Sequence, residues 1–189
     1  MSSLRDFAYS RNLPLSAPWT PCLAIALYLC VIVVLSSWMR KRKAAYRLVH
    51  FSRIHNLILC AWSAVMFVGN VVSLSRHVAA NASRMKAQHL VTDPNLEIYN
   101  LLQFWFYIYY LSKYYELIDT FVLILRKKRL IALHVWHHGI MLLCAWLWVD
   151  QKWTLSMFGM MINTFIHVLM YYSYFISWYG GTGRPWWRR

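Results

Sequence analysis

The stretch "CLAIALYLCVIVVLSSWM", residues 22–39, decides the fold class of this chain. It contains no charged residue, and the run "RKRK" at residues 40–43 ends it abruptly. An α-helix needs about 20 consecutive apolar residues to cross the hydrocarbon core of a bilayer. Hydrophobic residues make up 60% of the 189 residues, above the usual share in a soluble domain. The stretch therefore predicts a transmembrane helix.

Four further apolar blocks follow the first one and predict four more spans. Short polar or basic links separate them. We therefore expect an all-α, polytopic transmembrane helix bundle, with residues 1–189 forming a single membrane domain. The predicted spans are about 22–39, 57–74, 98–125, 131–149 and 153–178.

The formal net charge of +14 is concentrated in short runs at the ends of the apolar blocks, such as 40–43 and 126–129. This placement indicates membrane orientation, and no basic run is long enough to form a nucleic-acid groove. If the first link is cytoplasmic, thirteen Lys and Arg residues lie on that side and six on the other. We therefore predict a luminal N-terminus and cytoplasmic basic links. The sequon Asn81-Ala82-Ser83 falls on the luminal side, where it could accept a glycan.

The four cysteines, Cys22, Cys30, Cys60 and Cys144, all fall inside apolar blocks, and no pair has C-x-x-C spacing. The pattern predicts small buried hydrophobic residues. It does not favour a disulfide framework or a zinc finger.

Ionisable residues inside a membrane span are costly and therefore suggest function. The first group is "KYYELIDT", residues 113–120, in which Lys113, Glu116, Asp119 and Thr120 share one helix face. One cation and two anions on one face can form an internal ion-pair network. They can equally line a substrate cavity, and both roles are compatible.

The second group is "HVWHH", in which His134, His137 and His138 lie within about 100° of one helix face. Such a cluster can bind a metal, supply a nucleophile with its base, or sit as interfacial histidines at a helix mouth. Membrane di-iron desaturases and hydroxylases use several histidine boxes, whereas this chain has one. A metal site is therefore not predicted, although such an oxidoreductase stays the main alternative function.

The third group is "NTFIHVLMY", residues 163–171, in which Asn163 and His167 share a face with Tyr171 one turn further on. A lone intramembrane histidine is usually structural. The histidine cluster in the preceding span shifts the interpretation towards a shared site.

Taken in order, with a basic link between the first two, these motifs resemble the ELO family of very-long-chain fatty acid elongases. These are 3-ketoacyl-CoA synthases of the endoplasmic reticulum membrane. Any one motif alone is weak, but all three together are specific. The resemblance runs from about residue 22 to the end of the chain.

The resemblance implies a condensing enzyme that joins a long-chain acyl-CoA to malonyl-CoA, giving 3-ketoacyl-CoA, CO2 and CoA without a cofactor or metal. It implies His137 as the nucleophile, carrying the acyl chain as an acyl-imidazole. His134, His138 and His167 would orient that ring, move protons or polarise the thioester carbonyl. Asn163 would fix the tautomer of His167 or stabilise the malonyl-derived carbanion.

The remaining motif residues would bind substrate, with the acyl tail in an apolar tunnel and the CoA phosphates at the basic mouth. The expected partners are acyl-CoA, malonyl-CoA and membrane lipid, with other elongation enzymes or a second copy as further candidates and no nucleic acid. Cys144, seven residues after His137, is an alternative nucleophile. The predicted substrate-binding residues are Lys113, Glu116, Asp119, Thr120, Met170 and Tyr171.

Two features depart from the family pattern. Ser173 stands where a tyrosine is usual, and Tyr174 follows it. Family members usually have seven spans, whereas five are predicted before the sequence stops at "RPWWRR". We therefore expect the C-terminal spans to be missing, and an inactive truncated fragment is the other alternative.

Overall fold

The computed structural model describes residues 7–83 and 97–177. Every regular element in those two ranges is helical, which confirms the predicted all-α membrane bundle. Among the described residues, three helices are long and apolar enough to cross a membrane: Trp19–Lys41, Val49–Ala80 and Ala132–Asp150. The helices are α1 (Trp19–Lys41), α2 (Val49–Ala80), α3 (Glu97–Glu116), α4 (Ile118–Leu125), α5 (Ala132–Asp150) and α6 (Ser156–Ile176).

The helices follow the predicted apolar blocks, with two differences in detail. Helix α2 starts at Val49, well before the predicted span at 57–74, because the helix continues through polar residues that interrupt the hydropathy pattern. The block at 98–125 is divided at Leu117 into α3 and α4. Trp178, the last residue of the predicted fifth span, lies outside the described residues.

The bundle packs around α3. Helix α2 runs along α6, α3 lies against both α2 and α5, and α1 covers α4 and α5. The largest buried side chains are mainly tyrosines, which bring hydroxyl groups into the core. A buried hydroxyl must find a hydrogen-bond partner, and the Tyr99 hydroxyl donates to the Val149 carbonyl at 2.6 Å. Aromatic packing and hydroxyl bonding together join α3 to α5.

The segment before α1 closes one end of the bundle. The Tyr107 hydroxyl donates to the Pro14 carbonyl at 3.0 Å, and the Trp146 indole N–H donates to the Ser16 carbonyl at 3.1 Å. Arg11 forms a bidentate ion pair with Asp150, with both N–O distances 2.8 Å. The amino end of α3 and the carboxyl end of α5 therefore share this closed end.

The opposite end carries the two basic runs. The backbone N–H of Tyr46, between α1 and α2, donates to the Leu125 carbonyl at the end of α4 at 3.0 Å. The start of α2, the end of α4 and the start of α5 therefore meet here. Because the helices alternate in direction, all three sequence motifs lie towards this end of the bundle.

Candidate functional site

A cavity of about 720 Å³ lies at the end of the bundle that carries the basic runs. Side chains from α2, α4, α5 and α6 and from the link between α4 and α5 form its walls. Five histidines of the described residues line it: His55, His134, His137, His138 and His167. Its other polar lining residues are Ser52, Asn56, Asp119, Arg126, Lys128, Arg129, Tyr171, Tyr174 and Ser177.

The deepest polar group lies behind the cavity wall and is centred on Lys113, whose side chain is only 3% exposed. Its ammonium donates to Glu116 Oε1 at 2.7 Å and to Asn163 Oδ1 at 2.9 Å. The Tyr109 hydroxyl donates to the same Asn163 oxygen at 3.0 Å. This network satisfies the predicted role of an internal ion pair and ties α3 to α6.

His167 connects this buried network to the cavity. Its Nδ1 lies 3.5 Å from Glu116 Oε1, and its ring packs edge-on against Tyr171 with 5.4 Å between centroids. His167 itself is 7% exposed and lines the cavity wall. The carboxylate of Glu116 therefore faces both a lysine on one side and a cavity histidine on the other.

A second network is built around Asp119. Its Oδ1 accepts a hydrogen bond from His55 Nε2 at 2.7 Å, and its Oδ2 accepts one from the Tyr171 hydroxyl at 2.5 Å. His55 is 2% exposed and stacks on Phe51, with 9° between the ring planes. Since these residues come from α2, α4 and α6, one carboxylate joins three helices beside the cavity.

Thr120 connects α4 to α1 and to the histidine box, which consists of His134, His137 and His138 on α5. Its Oγ1 lies 2.7 Å from the Tyr28 hydroxyl and 3.0 Å from His134 Nε2. One nitrogen of His134 is thus fixed by a hydroxyl. The position of Tyr28 opposite Thr120 shows that α1 also helps to orient the box.

The three histidines of the box lie together on one face of α5, as the spacing predicts. The rings of His134 and His138 have centroids 4.4 Å apart, and those of His137 and His138 are 5.8 Å apart. His138 is 9% exposed, whereas His137 is exposed. Within the described part of the chain, neither ring nitrogen of His137 has a hydrogen-bond partner, so that ring is free to react with a bound molecule.

The predicted site residues therefore fall into two layers. His134, His137, His138, His167, Asp119, Met170 and Tyr171 line the cavity. Lys113, Glu116, Thr120 and Asn163 lie behind them and hold the lining residues in place. Cys144 is half-buried on α5 and does not line the cavity.

Sequence reasoning missed the contribution of α2. Ser52 and His55 both line the cavity, and the Ser52 hydroxyl and His55 Nδ1 are buried without a hydrogen-bond partner among the described residues. These two atoms are therefore unsatisfied buried polar groups beside the cavity. A run of polar residues that continues the helical phase of an apolar block, as in "FSRIHN" at residues 51–56, is the signal that could have found them.

The donors of the cavity do not form a metal-binding group. Among residues 7–83 and 97–177, no set of three His, Cys, Asp or Glu side chains has the geometry to hold a metal ion. The Nε2 atom of His55 is hydrogen-bonded to Asp119, and that of His134 to Thr120.

Cations surround the mouth of the cavity. Arg126, Lys128 and Arg129, from the link between α4 and α5, all line it. Partial burial lowers the pKa of the Arg126 guanidinium, which remains charged at any physiological pH. The mouth thus offers positive charge to an anionic group, and the histidines lie further inside.

Comparison with known proteins gives a consistent result. A family model described as the GNS1/SUR4 family, abbreviated ELO, matches residues 13–189. A Dictyostelium discoideum protein provisionally named a fatty acid elongase is 39% identical over 167 residues, covering 87% of this chain and 54% of the relative.

Two further Dictyostelium discoideum proteins match nearly as well. Fatty acid elongase sre1 is 37% identical over 85% of this chain and 59% of its own length. Fatty acid elongase A is 36% identical over 86% of this chain and 56% of its own length. The chain thus spans little more than half the length of these curated relatives.

Proposed function

This chain belongs to the GNS1/SUR4 (ELO) family and is a multi-pass membrane protein, and we propose that it acts in fatty acid elongation. The proposed reaction joins a long-chain acyl-CoA to malonyl-CoA in the endoplasmic reticulum membrane. The products are 3-ketoacyl-CoA, CO2 and free CoA. One observation carries the proposal: four family-motif histidines line one cavity, and His137 among them is exposed and has no hydrogen-bond partner in residues 7–83 and 97–177.

His137 is the proposed acyl acceptor. His55, His134 and His167 each have a ring nitrogen facing Asp119, Thr120 and Glu116 respectively. His138 is buried, whereas His137 is exposed. A nucleophile must be open to the thioester carbonyl, and His137 meets that requirement best.

The first step transfers the acyl group. The unprotonated nitrogen of neutral His137 attacks the thioester carbonyl, a C–N bond forms and the C–S bond breaks. The proton from the other ring nitrogen leaves with the CoA thiolate, which gives free CoA and a neutral acyl-imidazole. An acyl-imidazole is a good acyl donor because imidazole is a good leaving group.

The second step forms the new carbon–carbon bond. Malonyl-CoA loses CO2, and the electron pair left on its C2 attacks the acyl carbonyl. The C–N bond to His137 breaks, and the imidazole regains a proton from solvent. One proton is consumed overall, and each turnover releases one 3-ketoacyl-CoA.

The buried networks are proposed to hold the reacting rings in place. Thr120 fixes one nitrogen of His134, whose ring packs against His138 beside the nucleophile. Glu116, held by Lys113, fixes His167 on the facing helix. Preorganised donors of this kind stabilise the negative charge that develops on the thioester and malonyl oxygens.

The cations at the mouth suit the phosphates of CoA. Arg126, Lys128 and Arg129 bring three positive charges to the mouth, outside the histidines. The proposed orientation has CoA at this end and the acyl chain directed into the bundle.

A product assay tests the proposed function. Protein purified in detergent is given a long-chain acyl-CoA and malonyl-CoA, and 3-ketoacyl-CoA is measured by mass spectrometry. We expect product with wild type, and a loss of about 1,000-fold or more with His137→Ala, the size of effect seen when an enzyme loses its nucleophile. His77→Ala, on the opposite end of α2, is the matched control and keeps full activity. Full activity of His137→Ala would contradict the proposal.

A further inference from the structure

A second, smaller cleft of about 220 Å³ lies where the end of α1 meets the link between α4 and α5. It is separate from the histidine cavity, and among the described residues Lys128 is the one that lines both. One part of its lining is apolar and consists of Met39, Ile124 and Leu130. The other part is polar and consists of Ser36, Arg40, Lys127 and Lys128.

The cleft exists because the two basic runs converge. The Lys127 ammonium donates to the backbone carbonyl of Arg42, which joins the second run to the first. The Arg42 guanidinium lies over the rings of Trp38 and Tyr46, 5.1 and 4.7 Å from their centroids. Arg42 is thereby occupied by aromatic faces, and Arg40, Lys127 and Lys128 are left to face the cleft.

No carboxylate of the described residues lines this cleft. Inside the bundle, Glu116 and Asp119 are engaged by Lys113 and His55. At the closed end, Arg11 has Asp150 as its partner. The three cations of the cleft therefore lack an acidic partner among the described residues. A bound anion would neutralise their charge.

The backbone supports a role for Lys127. Its φ of 51° is in the left-handed region that glycine usually occupies after a helix. A residue with a side chain is less favourable there than glycine. The lysine is thus held in an unfavourable conformation that directs it to the place where the two basic runs meet.

We propose that this cleft binds the phosphate headgroup of an anionic membrane lipid. Helix α1 is apolar up to Met39 and basic from Arg40, so the cleft lies at the level of the headgroups. Basic clusters at this level attract anionic lipids. The apolar part of the cleft accommodates the glycerol and first acyl carbons, which distinguishes a lipid from free phosphate. Through Lys128, a bound lipid also touches the rim of the histidine cavity.

The test measures lipid retention and is independent of catalysis. Wild-type protein is extracted from phosphatidylcholine nanodiscs that contain phosphatidylserine, and bound phosphatidylserine is measured by native mass spectrometry. We expect Arg40→Gln with Lys127→Gln to weaken binding about 30-fold, since each cation near the membrane surface contributes about five-fold. The matched control is Lys41→Gln with Lys43→Gln, which removes equal charge from exposed residues outside the cleft and leaves retention unchanged.

Further arms identify the ligand. Lys127→Arg keeps the charge and is expected to keep the lipid, which separates loss of the site from loss of the fold. An equal loss of bound phosphatidylserine in both double variants would overturn the proposal, since it would show that binding depends on the total positive charge and not on the cleft. Displacement of the lipid by inorganic phosphate or by CoA would overturn it too, because the cleft would then take a soluble phosphate.

Discussion

At the residue scale, the site depends on carboxylates that each serve several partners. Asp119 accepts from His55 and Tyr171, and Glu116 faces both Lys113 and His167. A buried carboxylate whose partner is removed keeps its desolvation cost without the compensating bond. Substitutions at these partners are therefore expected to be costly even where they do not touch substrate.

His55 is expected to be required for the stability of the cavity wall. His55→Ala removes one of the two hydrogen bonds that Asp119 accepts from the described side chains, which costs about 1.5–3 kcal/mol for a lost hydrogen bond to a charged group. Thermal unfolding in detergent should show a lower midpoint for His55→Ala and a smaller decrease for His55→Gln, whose amide can still donate. His50→Ala, at an exposed position near the start of the same helix, is the control. A His55→Ala protein as stable as wild type would show that Asp119 does not depend on this bond.

The Lys113–Glu116 pair is expected to behave as a coupled unit. Lys113→Met leaves Glu116 without its main counter-ion and should cost about 3–5 kcal/mol. Adding Glu116→Gln should recover part of that loss, because no uncompensated charge remains. A double-mutant cycle on unfolding free energy measures the coupling, and simple additivity of the two losses would refute it.

At the scale of the helices, close packing depends on glycines that face tryptophans. A Cβ built on Gly69 of α2 would lie 2.2 Å from the Trp105 ring of α3. A Cβ on Gly159 of α6 would lie 3.2 Å from Trp148, and one on Gly139 of α5 has its nearest neighbour at 4.0 Å. The α2–α3 contact therefore requires the absence of a side chain, whereas the other two positions have more room.

The three glycines give a graded prediction for substitution by alanine. Gly69→Ala should destabilise by about 1–3 kcal/mol, because the rigid Trp105 ring must move. Gly159→Ala should have a smaller effect, and Gly139→Ala should be neutral or stabilising, since alanine favours helix. Unfolding midpoints of the three variants in one detergent test the order. A Gly69→Ala protein more stable than Gly139→Ala would contradict the packing described.

Much of the helix pattern could be predicted from the sequence, because apolar runs bounded by basic residues are typical of membrane-spanning helices. The spacing of the histidine box likewise placed three rings on one face. The hydrogen bond from His55 to Asp119 could not be predicted, because the two residues are 64 positions apart in sequence. The break at Leu117 could not be predicted either, since no proline or glycine marks it.

At the scale of the whole molecule, the histidine cavity and the basic link at its mouth lie at the same end of the bundle. The segment 7–18 closes the other end through Arg11, Tyr107 and Trp146. The basic link between α4 and α5 lines the mouth of the cavity. The mouth of this cavity thus gives charged, soluble groups a route to the histidines.

This polarity gives a prediction about topology. With the basic links cytoplasmic, a cysteine at Lys127 should react with a membrane-impermeant maleimide in sealed microsomes, and one at Arg11 should react only after permeabilisation. The background is a protein in which the four native cysteines are replaced by alanine. The reverse labelling pattern would place the cavity mouth in the lumen.

The central claim is that His137 carries the acyl group, and its most direct test is the intact mass of the protein after incubation with a long-chain acyl-CoA alone. We predict an added mass of one acyl group on wild type and on His77→Ala, with an equal amount of CoA released, and no addition on His137→Ala. Peptide mapping should locate the acyl group within the segment 134–138. An adduct that persists in His137→Ala, or CoA release without any adduct, would contradict the account.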